Sequence, residues 1–303
     1  MKTQKSMLII GGTGFIGHHL AVKCKKLKWR VTSISTKKPQ PDRKVKGVTY
    51  LICNIGNLEK LKKVIKDDFN YVVNLGGYID HYDKEKTFRS HYLGVKNLST
   101  IFLKKNINSF IQIGSSTEYG KLRSPHKEQD KCKPKLIYGK SKLLATNYLI
   151  NLYKKYKFPV TILRFYLVFG PKQSKNRFIP IIINSCLKKI KFDCSDGKQK
   201  RDFLYVEDSV DSIIRAIKSK KTNGKIINIG TGKTVTLKKI IDYLVRKIEG
   251  GKPQFGKVIL RKDEPKIMYP SLKIAVKLLK WKPKISFSKG LNKTIIAYTK
   301  ANI

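Results

Sequence analysis

The chain has 303 residues and 41% hydrophobic content, enough to bury a substantial core in one large domain or two smaller ones. Its 66 Lys and Arg against 20 Asp and Glu give a net charge of +46, spread along the whole chain without a block of arginines and aromatics, which reads as solvated surface and argues against a dedicated nucleic-acid partner. No apolar run is long enough to span a bilayer, and the N-terminus lacks the apolar length and cleavage site of a signal peptide. The five cysteines form no C-x-x-C pair, so they suit a reducing cytoplasm with no disulfide frame or metal site.

Residues 6–35, "SMLIIGGTGFIGHHLAVKCKKLKWRVTSIS", have the layout of a β-α-β unit: an apolar run at 7–10, a glycine turn, an amphipathic segment from about 15 to 28, and an alternating strand. In that setting Gly11 permits a tight turn, Gly14 lets backbone approach a pyrophosphate, and Gly17 lets the helix pack closely on the sheet. The helix N-terminus adds free N–H groups and a positive dipole end. The expected ligand is therefore a dinucleotide. Further strands are expected at 48–55, 71–77 and 109–116, with helical patterning at 57–67 and 87–106. Strands alternating with helices imply an α/β fold, a Rossmann-type doubly wound parallel sheet with its ligand at the strands' C-terminal ends. The second strand ends in Ser35, followed by Thr36, Lys37 and Lys38, where a carboxylate would select NAD. A small hydroxyl followed by cations accommodates a 2′-phosphate, so NADP is slightly favoured, with NAD as the alternative.

Residues 136–145, "LIYGKSKLLA", place Tyr138 and Lys142 four apart in a helical segment, hence on one face. Free tyrosine has a pKa of about 10, too high for a base at neutral pH. A lysine beside it, with a nicotinamide cation nearby, favours the phenolate. Ser115, at the end of the strand in "IQIGSSTEYG", supplies a hydroxyl to hold a substrate oxygen. The three residues read as an acid–base site. After Pro171 the pattern loosens. "NRFIPIIINSCLKK" reads as a helix with a basic entrance, and a turn at Asp196-Gly197 precedes a strand carrying Arg201. No internal repeat or low-complexity linker is present.

With these residues in view, the chain resembles the extended short-chain dehydrogenase/reductases, the nucleotide-sugar epimerase/dehydratase family, from residue 7 to about 295. "GGTGFIG" is similar to the cofactor turn of that family and brings in Phe15 and Ile16. "ICNI" is similar to the segment whose Asn54, with Ile55, contacts adenine. "NLGG" (Leu75, Gly76, Gly77) is similar to the strand beside the nicotinamide ribose, "GSSTEYG" to the hydroxyl segment and "YGKSK" to the catalytic helix. "ILRFYLVFGP", "GKQKRDFLYVEDSVDSIIRAI", "INIGTG" and "LLKWKPKISFSKGL" continue the series in order. The resemblance implies a dinucleotide-binding domain over 1–170 and a mainly substrate-binding lobe over 171–303, with parts of 201–230 returning to the main sheet. It also implies a homodimer joined through the catalytic helix and its neighbour; the apolar stripe Leu143, Leu144, Tyr148 and Leu152 either serves that seam or is core.

On the substrate side the resemblance implies that Arg201 reaches the substrate diphosphate, with Arg261 a second contact and Ser116 beside the sugar. Guanidinium forks suit phosphate oxygens. The alternative for Arg201 is a structural ion pair with Asp202 or Asp208, and for Arg261 a solvated surface position. Asp80, His81 and Tyr82 stand where they would line a sugar pocket or form an ordinary polar loop. Trp281 with Pro283 is expected to pack the C-terminal lobe. Several residues depart from the family pattern: His91 stands where Asn is usual, Phe165 and Leu167 replace Pro and Asn, and Ser116 and Thr117 replace the Asp and Glu of the 4,6-dehydratases. Lacking that carboxylate pair, the chain is expected to be an NAD(P)-dependent epimerase of a nucleotide-diphosphate sugar, acting at C4. The alternative is an NADPH-dependent 4-keto-deoxysugar reductase. A non-catalytic NADP- and RNA-binding role is a third reading, opposed by the intact Ser115, Tyr138 and Lys142.

Overall fold

The computed structural model describes residues 4–78, 82–260 and 264–300. Asp80, His81 and Arg261 lie outside these. The chain begins with β1 (Ser6–Ile10), whose five residues are all buried, then α1 (Phe15–Lys26) and β2 (Arg30–Ser35). Next come β3 (Val48–Ile52), α2 (Leu58–Val64) and β4 (Tyr71–Asn74). The segment expected as one helix over 87–106 is divided. α3 (Lys84–Phe88) passes through a π-helical turn (Arg89–Leu93) into α4 (Gly94–Phe102). β5 (Ser109–Ser115), α5 (Ile137–Tyr156) and β6 (Val160–Phe165) complete the N-terminal half.

The C-terminal half runs β7 (Leu167–Phe169), α6 (Phe178–Leu187), β8 (Lys191–Asp193), β9 (Lys200–Arg201), β10 (Phe203–Tyr205) and α7 (Val206–Lys218). It continues with β11 (Lys225–Ile229), β12 (Val235–Thr236), α8 (Leu237–Ile248), β13 (Lys252–Gln254), β14 (Ile267–Met268), α9 (Lys273–Leu279) and α10 (Phe287–Lys300).

Among the described residues, seven strands form one parallel sheet in the order β11-β6-β5-β4-β1-β2-β3. Helices cover both faces, so the inner strands are buried on both sides and read as near-continuous apolar runs. β3, at the edge, is only partly buried. It ends at Ile52 rather than 55 because the Asn54 side chain accepts from the Gly56 N–H (2.9 Å) and Asn57 caps α2. The chain fills one side of the sheet from β1 to β3 and then crosses to β4. The reversal falls between β1 and β4, where a doubly wound sheet opens its crevice.

Two apolar clusters flank the sheet. One joins α1 and α7 through Met7, Leu20, Val31, Ile213 and Ile227; the other joins α2, α4 and α5 through Leu8, Leu61, Leu98, Phe110 and Leu149. A third, with Phe169, Ile182, Phe203, Ile241 and Leu291, lies among α6, α8 and α10. Trp281 departs from expectation. It is fully buried in the first cluster with Ala275 and Leu279, against the main sheet rather than in the C-terminal lobe. β11 likewise pairs with β6, so the later chain returns to the sheet at two places. No helix among the described residues is long and apolar enough to cross a membrane.

Candidate active site

The glycine turn is built as its spacing predicts. Gly11 takes φ +80°, a left-handed value suited to glycine, and its N–H donates to Ile34 O (2.8 Å). A Cβ on Gly17 would lie 2.2 Å from Gly11 O, so only glycine lets α1 start this close to β1. No side chain caps the first turn of α1, whose N–H groups around Phe15 and Ile16 face the crevice end of the sheet. Ser35 ends β2, and its Oγ accepts from Thr13 N–H (3.4 Å), which ties it to the turn. Lys37 and Lys38 follow as exposed residues, with no carboxylate at the strand end. Asn54 is exposed beyond β3. The Ile55 side chain is buried against Gly94, and its carbonyl accepts from Asn97 (2.8 Å). Leu75, Gly76 and Gly77 follow β4, where a Cβ on Gly76 would meet Ile10 at 2.8 Å. The cradle thus has the shape and the free donors for a dinucleotide.

Ser115 ends β5 on the same edge, and α5 lays Tyr138 and Lys142 beside it. The Ser115 Oγ accepts from Thr117 N–H (3.2 Å) and Thr117 Oγ1 (2.8 Å). With its lone pairs engaged, the hydroxyl hydrogen is left to donate, towards Tyr138 or a substrate oxygen. Tyr138 keeps partial solvent access yet lies deep enough that burial pushes its phenol up. The hydrogen bond with Ser115 works the other way, Glu118 adds to the rise and Arg177 opposes it. Lys142 is buried, its Nζ donates to Ile113 O (2.8 Å) and lies 5.9 Å from the Tyr138 ring centroid. Burial pulls its pKa down to about 8, with Glu118 acting against the fall. In the protein alone, therefore, burial dominates Tyr138 and Lys142 does not by itself make the phenol acidic.

Buried polar groups join the two halves of the site. Gly76 N–H donates to Asn74 Oδ1 (3.0 Å), Asn74 Nδ2 to Gln112 Oε1 (2.8 Å), and Gln112 Nε2 to Ile113 O (3.1 Å), the carbonyl that also holds Lys142. Two further groups in the site were not singled out as site residues by sequence. His91, noted only as a departure, sits in the π-helical turn with its ring edge-on to Tyr138 at 4.9 Å between centroids and its Nε2 3.0 Å from Tyr78 O. The carbonyl can only accept, so Nε2 carries the hydrogen. A Cβ on Gly77 would strike that ring at 1.9 Å. Glu118 is fully buried and ion-paired to Arg164 at 2.8 Å. The Ser-x-x-Glu spacing of Ser115 and Glu118 is a capping-box signal that could have found it.

On the substrate side, Ser116 is buried in the 3-10 turn after β5, whereas Thr117 is exposed. Arg201 is buried, and Nη2 meets Glu264 at 2.5 Å while Nη1 donates to Lys200 O and Lys266 O. Neither expected alternative partner takes part. Asp202 accepts from the N–H groups of Thr231 and Gly232, and Asp208 from those of Lys284 and Ile285. Tyr82 is 96% exposed. Arg177, at the N-terminus of α6, is exposed within electrostatic reach of Tyr138.

Residues 7–230, most of the chain, match the model of the "NAD dependent epimerase/dehydratase family". Among curated proteins the chain is 28% identical to human dTDP-D-glucose 4,6-dehydratase, over 97% of this chain and 90% of that one. It is 25% identical to dTDP-4-dehydro-6-deoxyglucose reductase of Escherichia coli, over 96% and 97%. The fold is shared with UDP-glucuronic acid 4-epimerase from Bacillus cereus, solved with UDP-glucuronic acid and NAD, at a TM-score of 0.87, with 24% identity and 98% and 99% of the chains covered. The chain belongs to the NAD-dependent epimerase/dehydratase family and is an enzyme of the extended short-chain dehydrogenase/reductase type.

Proposed function

We propose that the chain is an NAD(P)-dependent epimerase that moves hydride from and back to a carbon, C4 in the first instance, of a nucleotide-diphosphate sugar. The observation that carries this reading is the meeting of Ser115, Tyr138 and Lys142 at one strand end beside the glycine turn, with Ser116 and Thr117 where a dehydratase has two carboxylates. Gly11, Gly14, Phe15, Ile16 and Gly17 would hold a dinucleotide's pyrophosphate, Ser35 and Lys37 its adenosine ribose, and Asn54 and Ile55 its adenine. Leu75, Gly76, Gly77, Tyr138 and Lys142 would hold its nicotinamide end. When bound, the dinucleotide supplies the hydride acceptor and donor.

The residues of the chain do the proton work. Tyr138 takes the proton of the sugar hydroxyl as hydride leaves the same carbon, while Ser115 donates a hydrogen bond to that oxygen. The Lys142 ammonium, together with the positive charge an oxidised nicotinamide would bring beside it, favours the phenolate against its burial. Tyr138 then returns the proton when hydride comes back to the other face of the keto sugar. Arg201 and Arg261 are proposed for the diphosphate and Ser116 for the sugar. Arg201 must give up or share Glu264 to serve. The proteins similar to this chain include a 4-epimerase solved with UDP-glucuronic acid and NAD, which supports that class of substrate. The outer face of α5, where Leu144 is 43% exposed, is proposed as the homodimer seam, although Leu152 of the same stripe is core.

A second reading, an NADPH-dependent 4-keto-deoxysugar reductase, is favoured by the end of β2, where Ser35 and exposed Lys37 and Lys38 suit a 2′-phosphate. The test is to purify the protein without added cofactor, denature it and identify any released dinucleotide by mass spectrometry. Stoichiometric NAD supports the epimerase, whose cofactor is recycled in place; an empty site preferring NADPH supports the reductase. In either case Tyr138→Phe is expected to abolish turnover, by about a hundred-fold or more, with cofactor binding retained. Full activity in Tyr138→Phe would overturn the assigned acid–base.

A further inference from the structure

Glu118 is a fully buried carboxylate at the centre of the site, and the proton transfers above leave it unused. Its Oε1 accepts from the Ser115 N–H (2.8 Å). Its Oε2 accepts from Thr146 Oγ1 (2.9 Å) and Arg164 Nε (2.8 Å). Those three partners belong to three different elements: the end of β5, the helix α5 one turn beyond Lys142, and β6. Residues 142 and 146 share one face of α5, so the bond to Thr146 fixes the rotation of the turn that carries the lysine. The Arg164 guanidinium is held in turn over the Tyr119 ring, 4.7 Å from its centroid.

We propose that Glu118, backed by Arg164, is a positioning residue for the reaction: it locks the strand end bearing Ser115 to the helix bearing Tyr138 and Lys142 and fixes a buried negative charge at that junction. The proposal rests on the acid–base site assigned above. The hydrogen bonds to Ser115 and Thr146 hold that charge between the strand end and the catalytic helix, which gives the residue an electrostatic part as well. Lys142 is surrounded by protein, with Ile113 O as its hydrogen-bond acceptor and Glu118 as the nearby carboxylate that favours its charge. Tyr138 faces Ser115 from β5, Glu118 from the turn, Arg177 from α6 and His91 from the π-helical turn. Glu118 itself faces Arg164 and Cys132. Its negative charge raises the pKa of both Tyr138 and Lys142, so removing that charge lets both protons leave at lower pH.

The experiment compares wild type, Glu118→Gln, and the double variant Glu118→Val with Arg164→Met, whose paired apolar replacement avoids an orphaned buried cation. The glutamine keeps one acceptor for the Ser115 N–H but turns an NH2 towards Arg164. The expected result is a loss in kcat of about a hundred-fold, as for small misplacements of reacting groups, with both limbs of the kcat profile displaced to lower pH in both variants. Sugar-nucleotide KM and dinucleotide Kd should change little. A Glu118→Gln profile superposing on wild type overturns the proposal, as does a double variant that recovers wild-type kcat and limbs, because the pair would then only stabilise the fold. Tyr138 is also titrated without substrate, from the tyrosinate absorbance difference between each protein and its Tyr138→Phe partner. That curve decides the proposal even if no nucleotide sugar turns over: a shift to lower pH on losing the Glu118 charge supports it, and an unmoved curve defeats it.

Discussion

At Lys142 two linked pH effects run in opposite directions. Burial brings its pKa to about 8 in the folded chain, against a reference value of 10.5. The ammonium that the phenolate needs is therefore lost as pH rises through about 8, and kcat/KM, which reports the free enzyme, should fall there. Stability should do the reverse. Between about pH 8 and 10.5 the unfolded chain still holds the proton that folded Lys142 has released, so this residue's contribution rises with pH across that window and is constant below it. A kcat/KM profile set beside urea midpoints over the same range measures both. A rate flat across about pH 7 to 9 would remove the ammonium from the mechanism. Lys142 and Tyr138 were legible in the sequence because helical geometry fixes an i, i+4 pair locally. Ser115 was legible because it ends an apolar strand. Glu118 was not singled out, since its counter-ion lies 46 residues away on β6 and no local rule joins them. Spacing gives the proximity of Lys142 to Tyr138, whereas burial, a property of the whole fold that no local rule supplies, sets the largest effect on the phenol in the protein alone.

At the scale of elements, the β1–α1 unit was the most legible part of the chain, because its glycines are demanded by close backbone approach. Gly17→Ala tests that reading. The added Cβ would lie 2.2 Å from Gly11 O and 2.6 Å from Gly12 Cα, backbone atoms that cannot swing aside. Overpacking of this kind costs about 1–3 kcal/mol, and the strain falls on the cofactor turn itself. The expected outcome is a lower melting temperature together with loss of dinucleotide binding in calorimetric titration. Retained affinity would mean that the turn is not the pyrophosphate cradle. The helix at 87–106 was only half legible. Its apolar spacing is helical throughout, but the π-helical turn at Arg89–Leu93 inserts a residue to bring His91 between Gly77 and Tyr138. Periodicity cannot reveal such a bulge, because its cause is the neighbouring loop. Both Ser90 and His91 grip the backbone of Tyr78, one through the N–H (2.9 Å) and one through the carbonyl, so the bulge ties α4 to the cofactor side of the sheet.

Across the whole molecule, charge is the property that sequence stated most plainly and local structure explains least. Most of the 66 Lys and Arg cannot find partners among 20 Asp and Glu, and several that do are exposed pairs such as Arg30–Asp67 and Lys62–Glu59, which contribute little stability. The fold buries the Arg164–Glu118 pair fully and the Arg201–Glu264 pair in part, and it brings Trp281 and β11 back to the main sheet from the far end of the chain. Those long-range pairings were beyond local reading. The remaining positive field has a consequence for catalysis. A nucleotide-diphosphate sugar is an anion, and a net charge of +46 should steer it towards the site while leaving the chemical step alone. As ionic strength rises from about 0.01 to 0.15 M, the screening length falls from about 30 to 8 Å, so kcat/KM should drop several-fold while kcat holds. The same titration with a neutral viscogen separates steering from simple diffusion. If kcat/KM stays level with salt, the lysines are solvating surface only, as their even spread along the chain suggests; if kcat falls with it, salt is acting on the folded site rather than on encounter.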